Sequence, residues 1–150
     1  MIVAFCGHRD YVGGAEDAKR ILAQLEKEVG DTDCEFFLGE RGGFDRFAYG
    51  CAKSYQKKHP NARLIFVTPY MSGNRQKKEE AWDRGRFDLI LYPALEGVPP
   101  RYAIARRNRW IVQCADLVIA YVAREDGGAY KMLQYARRLH KSVYNIATLR

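Results

Sequence analysis

The chain has 150 residues, 47% hydrophobic and 29% charged, enough for one domain with its own core and outside the composition of disordered or membrane-embedded sequences. No apolar run approaches the roughly 20 residues of a membrane span, and the opening MIVAFCGHRD lacks a signal peptide's basic start and cleavage region, so a cytoplasmic protein is expected. Lysine and arginine outnumber aspartate and glutamate by 25 to 18, and the resulting +7 favours anionic partners without choosing among nucleotides, nucleic acid and acidic protein surfaces.

Ile2 to Cys6 is a short apolar run stopped by Gly7 and predicts a buried strand. Ala18, Ile21, Leu22, Leu25 and Val29 recur at helical spacing, giving a helix from Ala15 that stops near Gly30. Cys34 to Leu38 predicts a second strand. Phe47, Ala48, Cys51 and Tyr55 mark a second helix, beginning near Asp45 and ending before Pro60. Ala62 to Thr68 is the third predicted strand. The polar stretch from Pro69 to Arg86 contains NRQKKEEAWDR, readable as a short exposed helix or as an excursion from the core. Leu89 to Tyr92 is a short strand closed by Pro93, and EGVPPRY is a stiff connection. Ala103 to Ala115 predicts a helix, Leu117 to Val122 a β-branched strand, Ala129 to His140 a helix and Ser142 to Ala147 a last strand.

Strands alternate with helices, and the apolar runs lack strict period-two alternation, as expected of strands covered on both faces. The prediction is a single doubly wound α/β domain over 1–150, its sheet mainly parallel and its helices on both faces. Ligands of such sheets bind beyond the carboxyl ends of the strands. That directs attention to the loops after Cys6, Leu38 and Val122.

The first loop is Gly7-His8-Arg9-Asp10. Its glycine lets backbone approach a ligand, Arg9 can clamp phosphate with two parallel hydrogen bonds, and His8 can donate to phosphate or ribose. Alternatively Arg9 pairs with Asp10 and His8 caps a turn. The second loop, Gly39 to Asp45, puts Gly42-Gly43 ahead of a helix, an arrangement that aims free amides and the helix dipole at an anion. Asp45 has the chemistry of an N-cap as well as of a ligand contact. Glu40, a lone acid in a glycine-rich loop, is a candidate for binding ribose hydroxyls or acting as a base. The third loop, Arg124 to Gly128, brings Asp126 and Gly127-Gly128 to the start of the last helix. Neither G-x-G-x-x-G nor G-x-x-x-x-G-K-[ST] occurs, so the loops are neither a dinucleotide fingerprint nor a P-loop.

In RRNRW, Arg106 and Arg109 share a helix face and serve either as surface charge or as a phosphate clamp beside Gly127-Gly128. Tyr130 is a candidate for stacking on a base; Tyr70, Trp82 and Tyr92 either stack or pad the sheet edge. Cys6, Cys34, Cys51 and Cys114 form no C-x-x-C pair and lie in apolar segments, which reads as buried free thiols. His8, His59 and His140 are too scattered for a metal site by spacing. No metal or cofactor is expected.

Taken together, four blocks resemble the SLOG superfamily, the Rossmann-like group that contains the Smf/DprA DNA-processing proteins, the lonely-guy phosphoribohydrolases and the YpsA-like proteins. They are GHR after the first strand, G-x-x-x-G-F-D-x-x-A (Gly39, Gly43, Phe44, Asp45, Ala48), RNRW-x-V-x-x-x-D-x-V-I-A (Arg107 to Ala120), and the Gly127-Gly128-Ala129 segment with Tyr135-Ala136. The resemblance covers nearly the whole chain and is closest to the small YpsA-like members. It implies a pocket for a nucleotide or nucleotide-derived ligand, carried by Gly7, Arg9, Gly39, Gly43, Asp45, Arg107, Asn108, Arg109, Gly127 and Gly128. It also implies a homo-oligomer. The phosphoribohydrolases of this group carry P-G-G-x-G-T-x-x-E with a catalytic final glutamate. In register this chain reads DGGAYKMLQ, with Gln134 at the glutamate position. A glutamine cannot ionise and so cannot act there as a carboxylate.

Three functions follow as expectations. The leading one is binding, sensing or sequestration of a nucleotide-derived anion without catalysis. The alternatives are hydrolysis of a nucleoside 5′-monophosphate at its glycosidic bond, with Glu40 as the acid, and a nucleic-acid-binding module.

Overall fold

The computed structural model describes residues 1–39, 42–70 and 85–149. Glu40, Trp82 and the stretch NRQKKEEAWDR, read as a short helix or an excursion, lie outside the described residues. Among those described, the strands are β1 (Ile2–Gly7), β2 (Cys34–Leu38), β3 (Ala62–Val67), β4 (Leu89–Leu91), β5 (Leu117–Tyr121) and β6 (Ser142–Asn145). The helices are α1 (Ala15–Glu28), α2 (Gly43–Lys58), α3 (Ala103–Cys114) and α4 (Gly127–Arg138), with single 3-10 turns at Pro100–Tyr102 and Ile146–Leu149. No helix among them is long and apolar enough to cross a membrane.

The strands form one six-stranded sheet in the order β4-β3-β2-β1-β5-β6, and every neighbouring pair is parallel. Alternate residues of each strand feed opposite cores. Val3, Phe5, Phe36, Leu38, Leu64 and Phe66 pack beneath α1 and α2 with Ile21, Leu25, Phe44 and Tyr55. Ala4, Cys6, Phe37, Ile65, Val118 and Ala120 pack beneath α3 and α4 with Ile111, Val112, Met132 and Leu133. Both faces are apolar, so the strand sequences carry no polar beat, and the predicted doubly wound sheet is the observed one.

The order of strands locates the crevice. The chain steps from β1 to β4 in one direction, then returns to β5 on the other flank of β1. The carboxyl ends of β1 and β5 are therefore the point where the winding reverses and the crossovers diverge. Asn145 fixes the exit from β5. Its buried amide accepts the Val122 N–H at 3.0 Å and donates to the Val122 carbonyl at 3.1 Å, acting as a strand partner where the ladder has ended.

Candidate functional site

His8 closes the crevice from the β1 side. It is 5% exposed, and its Nε2 accepts the amide N–H of Ala123 at 2.9 Å, which ties the loop after β1 to the loop after β5. A ring nitrogen that accepts from an amide carries no proton, so the imidazole is neutral with its proton on Nδ1. Burial, followed by the nearby Arg124 cation, holds the His8 pKa below its ordinary 6.5 against the opposing pull of Asp10 and Asp126.

Asp10 does not pair with Arg9. Its two carboxylate oxygens take Nη1 and Nη2 of Arg124, each at 3.2 Å, while Nε of Arg124 donates to Asp126 at 3.1 Å. The Arg124 hydrogen bond is the largest influence holding the Asp10 carboxyl below its usual range. Among the described residues the side chain of Arg9 makes no ion pair, and it is exposed and lines the crevice.

The second glycine loop behaves differently from its sequence reading. The Gly43 amide donates to the Arg9 carbonyl at 2.8 Å and the Phe44 amide to the His8 carbonyl at 3.3 Å. A Cβ on Gly43 would overlap the Tyr11 carbonyl oxygen, and one on Gly42 would lie 2.9 Å from the Arg9 Cα. Gly42 and Gly43 thus allow α2 to dock on the loop after β1, and the leading amides of α2 are taken by backbone carbonyls instead of facing an anion. Asp45 is not the N-cap either: Gly42 holds that position, no side chain caps the helix, and Asp45 falls in the first turn.

Freed from capping, Asp45 reaches the crevice floor. A Cβ built on Gly39 would lie 2.9 Å from Asp45 Oδ2 and 3.6 Å from Arg107 Nη1, so a side chain there would displace the Asp45 carboxylate from its place beside that base. Arg107 is buried, donating from Nη1 to the Val67 carbonyl at 2.7 Å and from Nε to Asn108 Oδ1 at 2.9 Å. The Asn108 carbonyl is thereby committed, which leaves its amide N–H groups as donors toward a ligand. Beside them the Cys6 thiol is pushed up to about 12 by burial and by Asp45, so it supplies no thiolate.

α4 completes the wall. It begins at Gly127, whose φ of 83° is left-handed, and a Cβ on Gly127 or Gly128 would meet no atom within 4 Å. These groups surround a cavity of about 380 Å³ at the winding reversal. Gly7, His8, Arg9, Gly39, Asp45, Arg107, Asn108, Asp126, Gly127 and Gly128 line it, whereas Gly42, Gly43, Arg109 and Tyr130 do not. Arg109 is exposed and stacks over Tyr135 on the outer face. Tyr130 accepts from Gln134 at 2.8 Å, so the two engage each other. Ile104, Ile111, Phe66 and Met132 supply an apolar wall; Tyr70, one of the aromatics read as stacking or padding, lines the space, as do Arg124 and Thr68, not singled out from sequence as ligand contacts. Among the described residues no group of His, Cys, Asp and Glu could hold a metal ion.

No family model and no curated protein matches the chain. Solved structures do. DNA processing protein A (DprA) of Streptococcus pneumoniae superposes with a TM-score of 0.65 at 20% identity, over 95% of this chain and 49% of that one. The chain shares the Rossmann-like fold of DprA. DprA of Helicobacter pylori, whose structure is described for its single-stranded DNA binding mode, gives 0.61 at 19% identity over 95% of this chain and 63% of that one. TM1055 gives 0.53 at 14% identity over 95% and 71%. The chain therefore spans about half to two thirds of the DprA chains, and the fold agrees with the SLOG resemblance carried by the sequence blocks.

Proposed function

We propose that the protein binds a nucleotide-derived anion, with phosphate at the start of α4 beside Arg9 and the base against the apolar wall. The carrying observation is the convergence of donors from three separate elements on one cavity: the Nδ1–H of His8, the amide of Asn108 and the leading amides of α4, with Arg9 as a cation that makes no ion pair among the described residues. The ~380 Å³ volume falls at the lower end of small-molecule sites. Asp45 suits a ligand hydroxyl, because a carboxylate only accepts. Gln134 faces Tyr130 outside the cavity, which favours binding over glycosidic hydrolysis. Thermal shift and calorimetry with AMP, ADP-ribose and cyclic nucleotides test the reading. A ligand at 100 times its Kd should add about 2.7 kcal/mol of stability; no shift with any of them refutes it.

A second reading, binding of single-stranded nucleic acid, is favoured by the DprA fold, by what the Helicobacter pylori protein is described as binding, and by the charge of +7. Oligonucleotide affinity that falls steeply with salt supports it, with a log–log slope of roughly 0.7 per phosphate contacted. Salt-independent binding opposes it.

A further inference from the structure

Asp126 occupies the N-cap of α4 without capping it. Its backbone has the extended geometry of that position, φ −146° and ψ 165°, yet no side chain hydrogen-bonds to the helix amides. An aspartate at an N-cap ordinarily accepts from the second or third amide of its own helix. Here the carboxylate turns to Arg124 Nε, and the same guanidinium holds Asp10 of the neighbouring loop through its other two nitrogens. The first amides of a helix have no partner within it, so those of α4 remain available at the cavity. A second group points the same way: the His8 side chain is 5% exposed and lines the same space, its Nε2 is committed to Ala123, and Nδ1–H has no described partner.

From this we infer that Arg124 is a positioning residue that keeps the α4 N-terminus open to an anion by holding the Asp126 carboxylate away from it. The inference rests on the anion-binding reading above. Two carboxylates at the mouth of an anion site are unfavourable by charge, and Asp126 is also a competing ligand for the very amides the anion needs. One planar guanidinium answers both problems, because its fork reaches two acids on two loops at once. Removing it exposes two negative charges and lets Asp126 fold back onto the helix as an ordinary cap. Arg124 acts through Asp126, so its loss is reversible by a second substitution. An arginine that itself gripped the phosphate would show no such rescue.

The test is a double-mutant cycle on the full chain with Arg124→Gln, Asp126→Ala and the pair, each titrated with AMP by calorimetry and with inorganic phosphate by phosphorus NMR. Both substitutions lie at exposed positions, and the far-UV circular dichroism of the three variants should superimpose on the parent's. Arg124→Gln should weaken both ligands about tenfold, the scale of a lost charge effect at a helix terminus. Asp126→Ala alone should bind at least as tightly as the parent, and the pair should recover most of the loss. In the ligand-free Arg124→Gln protein the Gly128 and Ala129 amide resonances should move as Asp126 caps the helix, and that shift should vanish in the pair. A parent protein that binds neither ligand refutes the anion reading itself. A parent that binds, with Arg124→Gln unchanged or with the pair as weak as Arg124→Gln, overturns the role given to Arg124.

Discussion

Replacing Asn145 with alanine removes the side chain that terminates β5 and should be among the costliest single polar changes in the chain. Two backbone groups of Val122, itself buried, lose their partners at 3.0 and 3.1 Å, and Ala147 loses a longer bond at 3.3 Å. A buried backbone group left unpaired costs roughly 1–3 kcal/mol. The two Val122 groups sit at the end of a strand, where water can reach part of the vacated space, so the lower half of that range applies and gives about 3 kcal/mol. For a chain of this length about 3 kcal/mol corresponds to a fall in Tm of about 9 °C. The disturbance also reaches the site, because Val122 precedes the Ala123 amide that orients His8. Urea unfolding followed by circular dichroism measures the loss directly, with an unchanged m-value confirming that the unfolded state is comparable. A loss below about 1 kcal/mol would refute the assignment of Asn145 as the anchor of this loop.

Gly43→Ala should destabilise by at least about 2 kcal/mol, since the new methyl meets the backbone carbonyl of Tyr11 and neither segment can rotate away; a urea midpoint equal to the parent's would contradict the tight docking of α2. Arg9→Ala should leave stability within about 0.5 kcal/mol while weakening AMP roughly tenfold, a combination read by pairing thermal melts with calorimetry. Stability should also decline as pH falls below 6.5. Burial lowers the His8 pKa in the fold, so the unfolded chain binds the proton more readily in that range and is favoured by acid. The decline should be smaller in His8→Gln, whose amide oxygen can still accept from Ala123; equal slopes would place the pH response elsewhere.

Much of this architecture is legible in the sequence because the sheet is covered on both sides. Runs such as ARLIFV, apolar but for Arg63, and LVIAY have no alternating polar positions, and each proves to be a strand. Helix starts were harder to read. α2 and α4 begin two residues earlier than periodicity suggests, at Gly43 and Gly127, because glycines of low helical propensity stand inside the first turn. Gly43 is there to allow close approach of a distant loop, which no local pattern encodes. Arg107 could have been found by spacing alone, since it falls four residues from both Ala103 and Ile111 on the buried face of α3. Arg124 could not. Followed by two acids in REDGG it reads as locally neutralised charge, and its bidentate partner Asp10 is 114 residues away. Asn145, a polar residue ending an unremarkable strand, offers no local sign that it completes the hydrogen bonding of another strand.

The central pairing of the sheet joins Val3 to Leu117, the most distant neighbours in the ladder. Closing so large a loop is entropically demanding, and contacts of this range form late and slowly. The binding crevice lies on that junction, so it comes into existence only when the first strand meets a segment synthesised more than a hundred residues afterwards. A nascent or partly unfolded chain can hold β1 to β4 in register and still lack the crevice, so binding of the ligand proposed above would report on the meeting of β1 with β5.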